Sequence, residues 1–369
     1  MSEKQKIRVG ITQGDINGIG YEVIFKTFSS PEIFEICTPV VYGSPKSAAY
    51  HRKALEMEIT YNAVENDNDI HDGKLNIINC NSDEVHIELG NTTKEAGQAA
   101  FEALERAVKD YKDGKIDVLV TAPINKSTIQ NDEFNFPGHT EYLQERCGNA
   151  EGEYTKSLML LCSGDLRVAV ATSHLPLSKV PTAITSELIE EKLTILNQSL
   201  IRDFNIDAPK IAVLSLNPHA GDNGLLGSEE IDTIIPTIRK MNDQGIFCYG
   251  PFAADGFFGS GKYCKFDAIL AMYHDQGLAP LKALGMDDGI NFTAGLPIVR
   301  TSPAHGVAYD IAGKGEADEN SFRQAIYAAI DIQRNRNMYD AARRRPLRKL
   351  YFEKRDDSNK LNLQQSDNE

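Results

Sequence analysis

Five short runs of apolar residues constrain the fold of this chain more than any other feature of its sequence. Continuous runs of Val, Ile and Leu without polar alternation are typical of strands buried on both faces, as in parallel sheets covered by helices. Helical patterns lie between these runs, and such an order of strands and helices predicts an α/β fold. The runs are KIRVGIT (6–12), DVLVT (117–121), RVAVAT (167–172), KIAVLSL (210–216) and DAILAM (267–272).

The clearest helical pattern begins near Thr92. Thr92-x-x-Glu95 matches a capping box, and apolar residues follow at helical spacing until Asp113 and Gly114 end the pattern before a predicted strand. We also predict helices at 183–205 and 228–244. The polar segment 62–91 is expected to be a surface excursion or a small hairpin.

The excess of acidic over basic residues indicates which classes of partner this protein is expected to bind. The 369 residues include 39 Lys plus Arg and 53 Asp plus Glu, a formal net charge of −14. Nucleic acids and acidic membranes are bound through excess Lys and Arg, so neither is expected as a partner. A basic cluster near the C-terminus is either an RNA or phosphate-binding arm or a solvated helix end, and we expect the polar tail after it, 351–369, to be disordered. The cluster comprises Arg343, Arg344, Arg345, Arg348 and Lys349.

Several features predict a cytoplasmic protein. The sequence MSEKQKIRVGIT passes from a short charged lead into a strand-like run without the apolar core of a signal peptide. No unbroken apolar run approaches the about 20 residues that a membrane span needs. The 6 cysteines are far apart and show no C-x-x-C pattern, which argues against a disulfide framework or a zinc knuckle.

Three histidines follow predicted core strands at nearly the same distance. His174, His219 and His274 each lie one to three residues beyond such a strand. Ligands gather at the carboxyl ends of parallel strands, so three imidazoles there predict one divalent metal site with positions left open for a substrate. The alternative is that each is an ordinary hydrogen-bonded histidine. Imidazole ligands favour transition metals, but their number does not separate zinc, magnesium, manganese and cobalt.

Two glycine-containing segments are candidates for anion binding. In GDINGIG (14–20), backbone N–H groups could approach a phosphate or carboxylate, although the segment lacks the G-x-G-x-x-G fingerprint and is equally a tight strand-to-helix turn. In FPGHTEYL (136–143), His139 and Thr140 could bind a substrate phosphate, or Thr140 could cap the following helix.

Further candidates lie beyond His274. Lys282, Asn291 and Arg300 would form a local anion trap in an acidic protein, since Arg suits bidentate recognition and Lys supplies a mobile charge; the alternative is that they are surface residues. The segment HGVAYDIAGKGEA (305–317) is either a loop whose backbone approaches a phosphate-bearing cofactor or a flexible surface loop.

Taken together, these segments closely resemble the 4-hydroxythreonine-4-phosphate dehydrogenase family of vitamin B6 biosynthesis. The resemblance covers about residues 8 to 335, and its last segment is similar to the nicotinamide cofactor loop of the isocitrate and isopropylmalate dehydrogenase group. The matching segments are GDINGIG, TAPINK (121–126), GHTEYL (138–143), ATSHLPL (171–177), LNPHAGDNGLLGSEE (216–230), GPFAADGFF (250–258), AMYHDQGLAPLK (271–282) and NFTAGLPIVRTSPAHGVAYDIAGKG (291–315).

The resemblance implies a two-lobed α/β/α architecture with the active site in the cleft between the lobes, and a homodimer whose metal site is completed across the interface. A chain of this length is also expected to form two lobes. We predict a first, cofactor-side lobe from 1–135 plus 305–350, and a second lobe, carrying the metal and the dimer contacts, from 136–304.

Site residues carry over from the resemblance position by position. It assigns the three histidines to the metal, and Asp255 and Asp275 are candidates for the general base or for partners that orient a metal histidine. The implied substrate-binding residues are His139, Thr140, Lys282, Asn291 and Arg300; those near the cofactor are His305, Asp310 and Gly313.

The implied reaction uses NAD or NADP and one divalent metal, zinc, magnesium or cobalt. It oxidises 4-phosphooxy-threonine at C3 and then removes CO₂ to give 3-amino-2-oxopropyl phosphate. Alternatives are a dehydrogenase of erythronate or threonate 4-phosphate, a metal-dependent phosphatase and a phosphate-ligand sensor without turnover. The sequence departs from the family's usual pattern at Ile16, Asn17 and Tyr21 in the first loop and at Gly256.

Overall fold

The structure is a computed structural model that describes residues 6–65, 69–81, 85–131, 134–148 and 156–344. These residues form one sheet of 12 strands with helices on both faces. The strands are β1 (Ile7–Thr12), β2 (Cys37–Gly43), β3 (Tyr61–Val64), β4 (Leu75–Asn79), β5 (Val118–Thr121), β6 (Leu158–Ser163), β7 (Leu166–Thr172), β8 (Ile211–Leu214), β9 (Cys248–Phe252), β10 (Ala268–Tyr273), β11 (Ile290–Ala294) and β12 (Val299–Pro303). The α-helices are α1 (Gly20–Phe28), α2 (Ile33–Ile36), α3 (Pro45–Ala54), α4 (Lys94–Lys112), α5 (His139–Arg146), α6 (Val180–Ala183), α7 (Ser186–Arg202), α8 (Ile235–Asp243), α9 (Ala254–Gly259), α10 (His274–Gly285) and α11 (Asn320–Arg344).

Parallel pairing dominates at both ends of the sheet and antiparallel pairing at its centre. The strand order is β3-β4-β2-β1-β5-β12-β11-β6-β7-β10-β8-β9. The pairs β12–β11, β11–β6 and β6–β7 are antiparallel, and the other neighbouring strands are parallel. After three successive reversals, β5 and β12 run opposite to β7 and β10.

The predicted α/β class is confirmed, and the five apolar runs correspond to β1, β5, β7, β8 and β10. The expected parallel pairing holds at the two ends of the sheet but is wrong at its centre. The reversals there use tight turns, and Gly164 (φ 53°) after β6 and Gly295 (φ 84°) after β11 adopt the left-handed backbone that these turns require.

The hydrophobic core is continuous on one face of the sheet and divided on the other. On the first face, residues of α1, α7, α8 and α11 belong to one cluster that spans both halves. On the second face, α4 and α5 form one cluster over β2 and β5, and α9 and α10 form another over β7, β8 and β10. A cleft therefore lies on the second face, above the antiparallel centre of the sheet.

Several local predictions need correction. Thr93, not Thr92, caps α4, because its Oγ1 accepts a hydrogen bond from the backbone N–H of Ala96 at 3.2 Å. The helix predicted at 183–205 begins at Ser186, and the one predicted at 228–244 starts with a π-helical turn, Glu230–Ile234, before α8. The segment 62–91 was expected to be a surface excursion or a small hairpin. Its described residues instead include β4 and most of β3, which pair in parallel rather than as a hairpin at the edge of the sheet.

The division into lobes stays a prediction, because the sheet continues across both proposed lobes. Strand β12, which we assigned to the second lobe, pairs with β5 of the first and with β11 of the second.

The tail 351–369 and part of the basic cluster lie outside the described residues, whereas Arg343 and Arg344 are exposed at the end of α11. Among the described helices, none has the length and apolar character to span a membrane. All 6 cysteines are free.

Candidate active site

A cavity of about 270 Å³, here called the central cavity, lies in the cleft between the two clusters of the second face. Its walls come from β6, β11 and β12, the loop after β5, and one face of α10. None of its lining residues, all of which are described, is acidic. Its basic lining residues are Lys126, His139, His174, His274, Lys282, Arg300 and His305. Such a lining favours a small anion.

Arg300 forms the floor of the central cavity. Its side chain is buried, and its guanidinium donates to Oγ1 of Thr121 from Nε (3.1 Å) and Nη2 (2.6 Å), and to Oγ1 of Thr293 from Nη1 (3.3 Å). Burial lowers the pKa of Arg300 to about 10, and the charge of Glu141 opposes this effect. No carboxylate of the described residues lies within 4.0 Å of the guanidinium. A buried cation without a counter-ion is costly, and a bound anion would supply that counter-ion.

His139, the first residue of α5, has a defined tautomer. Nη2 of Arg300 donates to its Nδ1 at 3.2 Å, so Nδ1 is the acceptor and Nε2 carries the proton. Burial, aided by the charges of Arg300 and Lys126, lowers the pKa of His139 well below its usual value. Its Nε2 is buried and has no partner among the described residues. The neutral ring therefore offers an unused N–H donor beside a buried cation, as an anionic oxygen requires.

One face of α10 presents to the central cavity both a predicted metal ligand, His274, and a predicted substrate-binding residue, Lys282. His274, Leu278 and Lys282 follow each other at intervals of four residues and all line the cavity. At a rise of about 1.5 Å per residue, Lys282 lies about 12 Å along the helix axis from His274. A ligand group near His274 and an anionic group near Lys282 would therefore be at different ends of one bound molecule.

His174 and His274 converge although they follow different strands. Their ring centroids are 6.5 Å apart. Nδ1 of His274 lies 2.7 Å from Oδ1 of Asp275, and Nδ1 of His174 lies 3.6 Å from Oε1 of Glu141. A carboxylate that accepts from Nδ1 leaves Nε2 with a lone pair, which is the usual arrangement of a metal-ligating histidine.

His219 does not join the other two histidines. It lines a separate cavity of about 450 Å³ together with Asp255, Tyr273 and Gln276, on the other side of the start of α10. In the described part of the chain, no group of three or more His, Cys, Asp or Glu side chains is placed to hold a metal ion. One chain alone thus presents two of the predicted metal histidines in one cavity and the third in another.

The loop that carries His219 is held by a buried carboxylate. Oε1 of Glu230 accepts from the backbone N–H groups of Leu216 and Asn217, both at 2.8 Å, and Nδ2 of Asn217 donates to Oε2 at 3.0 Å. His219 and three other non-glycine residues of this loop have positive φ angles of 44–56°. Such angles are costly outside glycine, so the Glu230 contacts offset strain that orients the loop.

The remaining predicted residues are less closely grouped. Asn291 lines the central cavity, and its Oδ1 is buried without a described partner; His305 also lines it, and burial lowers the pKa of His305. Oγ1 of Thr140 lies 3.5 Å from that of Thr293, in a neighbouring cavity of about 190 Å³. Asp310 and Gly313 belong to the same loop as His305 but do not line the central cavity.

Several residues of the site were not among the predicted ones. Thr121 and Thr293 hold the Arg300 guanidinium, Glu141 contacts His174, and Lys126 lines the central cavity. Contact with His174 lowers the pKa of Glu141. Thr121 is the last residue of β5 and Lys126 ends the segment TAPINK that follows from it, and this position at the end of a strand was the signal that could have found them.

The fold and the central cavity define an α/β protein with a cavity lined by cationic and histidine side chains. Comparison with known proteins makes the class more specific. The family described as "Pyridoxal phosphate biosynthetic protein PdxA" matches residues 35–329. The chain belongs to this family, which confirms the resemblance seen in its motifs.

Individual relatives agree with this assignment. The chain is 62% identical over 361 residues to a 4-hydroxythreonine-4-phosphate dehydrogenase of Bacteroides thetaiotaomicron. The aligned residues cover 98% of this chain and 98% of the relative. It is 38% identical over 328 residues to an Oceanobacillus iheyensis protein named for D-threonate 4-phosphate dehydrogenase activity, covering 88% of this chain and 97% of the relative. The crystal structure of the Klebsiella pneumoniae 4-hydroxythreonine-4-phosphate dehydrogenase superposes with a TM-score of 0.77 at 31% identity, covering 90% of this chain and 99% of that one.

Proposed function

We propose that this protein is a 4-hydroxythreonine-4-phosphate dehydrogenase: it oxidises 4-phosphooxy-threonine at C3 with NAD or NADP, and CO₂ is then lost to give 3-amino-2-oxopropyl phosphate. The observation that carries the proposal is the buried Arg300, without a carboxylate partner among the described residues, in a cavity whose other charged or titratable lining residues are all Lys and His. The 62% identity to a relative of that name supports the choice of substrate.

The chain's own residues divide the substrate between two ends of the cavity. Arg300 and the Nε2–H of His139 form a donor pair for one anionic group, and Lys282 adds a charge at the far end of the α10 face. Phosphate and carboxylate are the two anionic groups of the substrate. Fixing both would orient C3 between them, and hydride transfer depends on such alignment.

The histidines of the chain fit a divalent cation. His174 and His274 each have a carboxylate beside Nδ1, as metal-ligating imidazoles usually do. His219 lies in a separate cavity, which supports a homodimer in which the metal site is completed by residues from two subunits. When bound, the cation would supply Lewis-acid chemistry at the oxidised carbon's oxygen, and NAD or NADP would accept the hydride.

Two carboxylates were candidates for the general base. Asp275 accepts from His274, so we propose that it orients that ring. Asp255 is exposed at the start of α9 and lines the cavity of His219, so in a dimer it would act beside that histidine. We also propose that His305, Asp310 and Gly313 contact the nicotinamide cofactor, and that Asn291 and Thr140 contact the substrate. The 6 free cysteines support a cytoplasmic location.

A related dehydrogenase reaction on threonate or erythronate 4-phosphate is the second candidate. The relative named for D-threonate 4-phosphate supports it, and this substrate would present the same phosphate and carboxylate to the cavity. Identity favours the amino acid phosphate, since the match is 62% in one case and 38% in the other.

The test is an assay of NAD(P) reduction by the purified protein, with zinc, magnesium or cobalt added one at a time. The substrates are 4-phosphooxy-threonine, threonate 4-phosphate and erythronate 4-phosphate. We expect reduction, with release of CO₂, on the amino acid phosphate. Reduction only with a sugar-acid phosphate would move the assignment to the second candidate, and phosphate release without NAD(P) would contradict both.

A further inference from the structure

The loop of residues 14–19, here called the first loop, is packed in the interior of the protein and does not line the central cavity. All of its residues are buried. Its backbone N–H groups already have acceptors: Asp15 donates to the carbonyl of Pro123, Asn17 to Oδ1 of Asp15, and Ile19 to the carbonyl of Val307. The hypothesis that these N–H groups bind a phosphate is therefore wrong for Asp15, Asn17 and Ile19.

Asp15 instead joins the first loop to two loops at the central cavity. The Tyr309 hydroxyl donates to Oδ2 of Asp15 at 2.7 Å and accepts from Nδ2 of Asn125 at 3.1 Å. Asn125 precedes Lys126, which lines the cavity, and Tyr309 follows His305, which also lines it. Burial raises the pKa of Asp15, and its hydrogen bonds to Tyr309 and Asn17 oppose this effect. This junction thus connects three chain segments through one tyrosine hydroxyl.

Asn17 attaches a fourth segment to the same place. Its Oδ1 accepts from the backbone N–H of Glu88 at 2.8 Å, and its Nδ2 donates to the carbonyl of Asn91 and to Oγ1 of Thr93, both at 3.0 Å. The segment 88–93 then covers the loop 305–315. At Gly313, where φ is 75°, a Cβ atom would lie 2.5 Å from Cδ1 of Leu89.

We propose that Asp15 and Asn17 are positioning residues that hold the loop 305–315 in the conformation that binds the nicotinamide cofactor, with the Tyr309 hydroxyl as the connecting group. The inference rests on the proposed function, since that assigns the cofactor to this loop. Ala308, Ile311 and Ala312 of this loop pack against the core, whereas Asp310, Lys314 and Gly315 are exposed, and Gly313 and Gly315 have positive φ angles. Anchoring it before the cofactor arrives lowers the entropy cost of binding.

The test compares Tyr309→Phe with the wild-type chain and with Tyr50→Phe as a matched control. Tyr309→Phe keeps the ring and removes the connecting hydroxyl, whereas Tyr50 is an exposed tyrosine of α3. NADH and NADPH binding is followed by the fluorescence of the reduced nicotinamide, phosphate binding by the thermal shift with inorganic phosphate, and loop order by hydrogen exchange. Asp15→Asn leaves one acceptor oxygen for two donors, the Tyr309 hydroxyl and the backbone N–H of Asn17, so it serves as a second disrupting variant.

We expect Tyr309→Phe to raise the Kd of the bound dinucleotide about tenfold, as loss of one hydrogen bond to a carboxylate predicts. Exchange in 305–315 should accelerate in both Tyr309→Phe and Asp15→Asn, phosphate binding should not change, and Tyr50→Phe should stay within about threefold of wild type. Unchanged dinucleotide affinity in Tyr309→Phe, or an equal loss of phosphate affinity, would refute the inference.

Failure of the proposed function is distinguishable from failure of this inference. If the wild-type protein binds neither NADH nor NADPH, the proposed function is wrong, and the positioning of a cofactor loop falls with it. If the wild-type protein binds a dinucleotide and Tyr309→Phe binds it equally well with equal exchange in 305–315, only the inference is wrong.

Discussion

We expect the substitution Arg300→Met to weaken ligand binding about 100-fold while leaving the free energy of unfolding of the ligand-free protein nearly unchanged. Burial lowers the pKa of Arg300 from 12.5 to about 10, which corresponds to about 3 kcal/mol against the charged side chain. Methionine removes this cost. It also removes four hydrogen bonds from the guanidinium to neutral acceptors on Thr121, Thr293 and His139, each worth about 1 kcal/mol. The two effects cancel to within about 1 kcal/mol.

The effect on the ligand-bound protein should be much larger. At a substrate concentration of about 100 times Kd, the wild-type protein gains about 3 kcal/mol of stability. Loss of a charge-assisted pair in the buried cavity should raise Kd about 100-fold, so at the same concentration Arg300→Met gains only about 0.4 kcal/mol. The assay is urea unfolding with and without 4-phosphooxy-threonine.

Arg323→Met is the matched control for this experiment. Arg323 of α11 pairs at 2.9 Å with Glu319, the residue before that helix, outside the central cavity, so the control should keep the whole stabilisation by the ligand. If Arg300→Met lost more than about 3 kcal/mol without ligand and still gained the wild-type amount with it, Arg300 would be a structural residue. The assignment of the central cavity as the anion site would then be refuted.

Other perturbations test single contacts of the fold. His51, whose Nε2 donates to a carbonyl of the first loop, has a pKa lowered to about 4 by burial, below the value of 6.5 in the unfolded chain. The unfolded state therefore binds more protons as the pH falls, so stability is lost between about pH 6.5 and 4. We expect a loss of about 2 kcal/mol from pH 7 to pH 5, reduced in His51→Gln. Gly97→Ala should destabilise the protein by about 1–3 kcal/mol in urea unfolding, because its Cβ would meet a backbone carbonyl, whereas Gly256→Ala, with open space, should not. Arg336→Ala should cost about 3–5 kcal/mol in the same assay because it leaves the buried Asp203 unpaired; a loss below about 1 kcal/mol would contradict this.

The five predicted strands and β12, which was not predicted, differ in what they face. The five apolar runs became strands covered on both faces, so their pattern followed burial alone. Strand β12 reads VRTSP and was not predicted. Its Arg300 and Ser302 line the central cavity, whereas the hydroxyl of Thr301 donates to a carbonyl of α11 on the opposite face. A strand whose alternate residues serve a site loses its apolar signal, and this is where sequence patterns are expected to fail.

The candidate site likewise contains residues that the sequence predicted and residues that it did not. The types of residue that contact an anion were predictable, and seven of the predicted ones line the central cavity: His139, His174, His274, Lys282, Asn291, Arg300 and His305. Their supports were not predictable, because Thr121 and Thr293 act only through the guanidinium that they hold. Likewise, no spacing in the sequence shows that α10 separates His219 from the other two histidines.

The net charge of −14 and the cationic cavity act over different distances. Exposed charges are screened beyond about 8 Å at physiological ionic strength, so the acidic surface neither strongly repels nor steers an anionic substrate at longer range. Arg300 and His139 are buried and are screened much less. Their interaction with a phosphate or carboxylate therefore depends on contact inside the cavity. For this arrangement, added salt should change the affinity for the anion far less than Arg300→Met does, and a steep salt dependence would place the binding energy on surface charges instead.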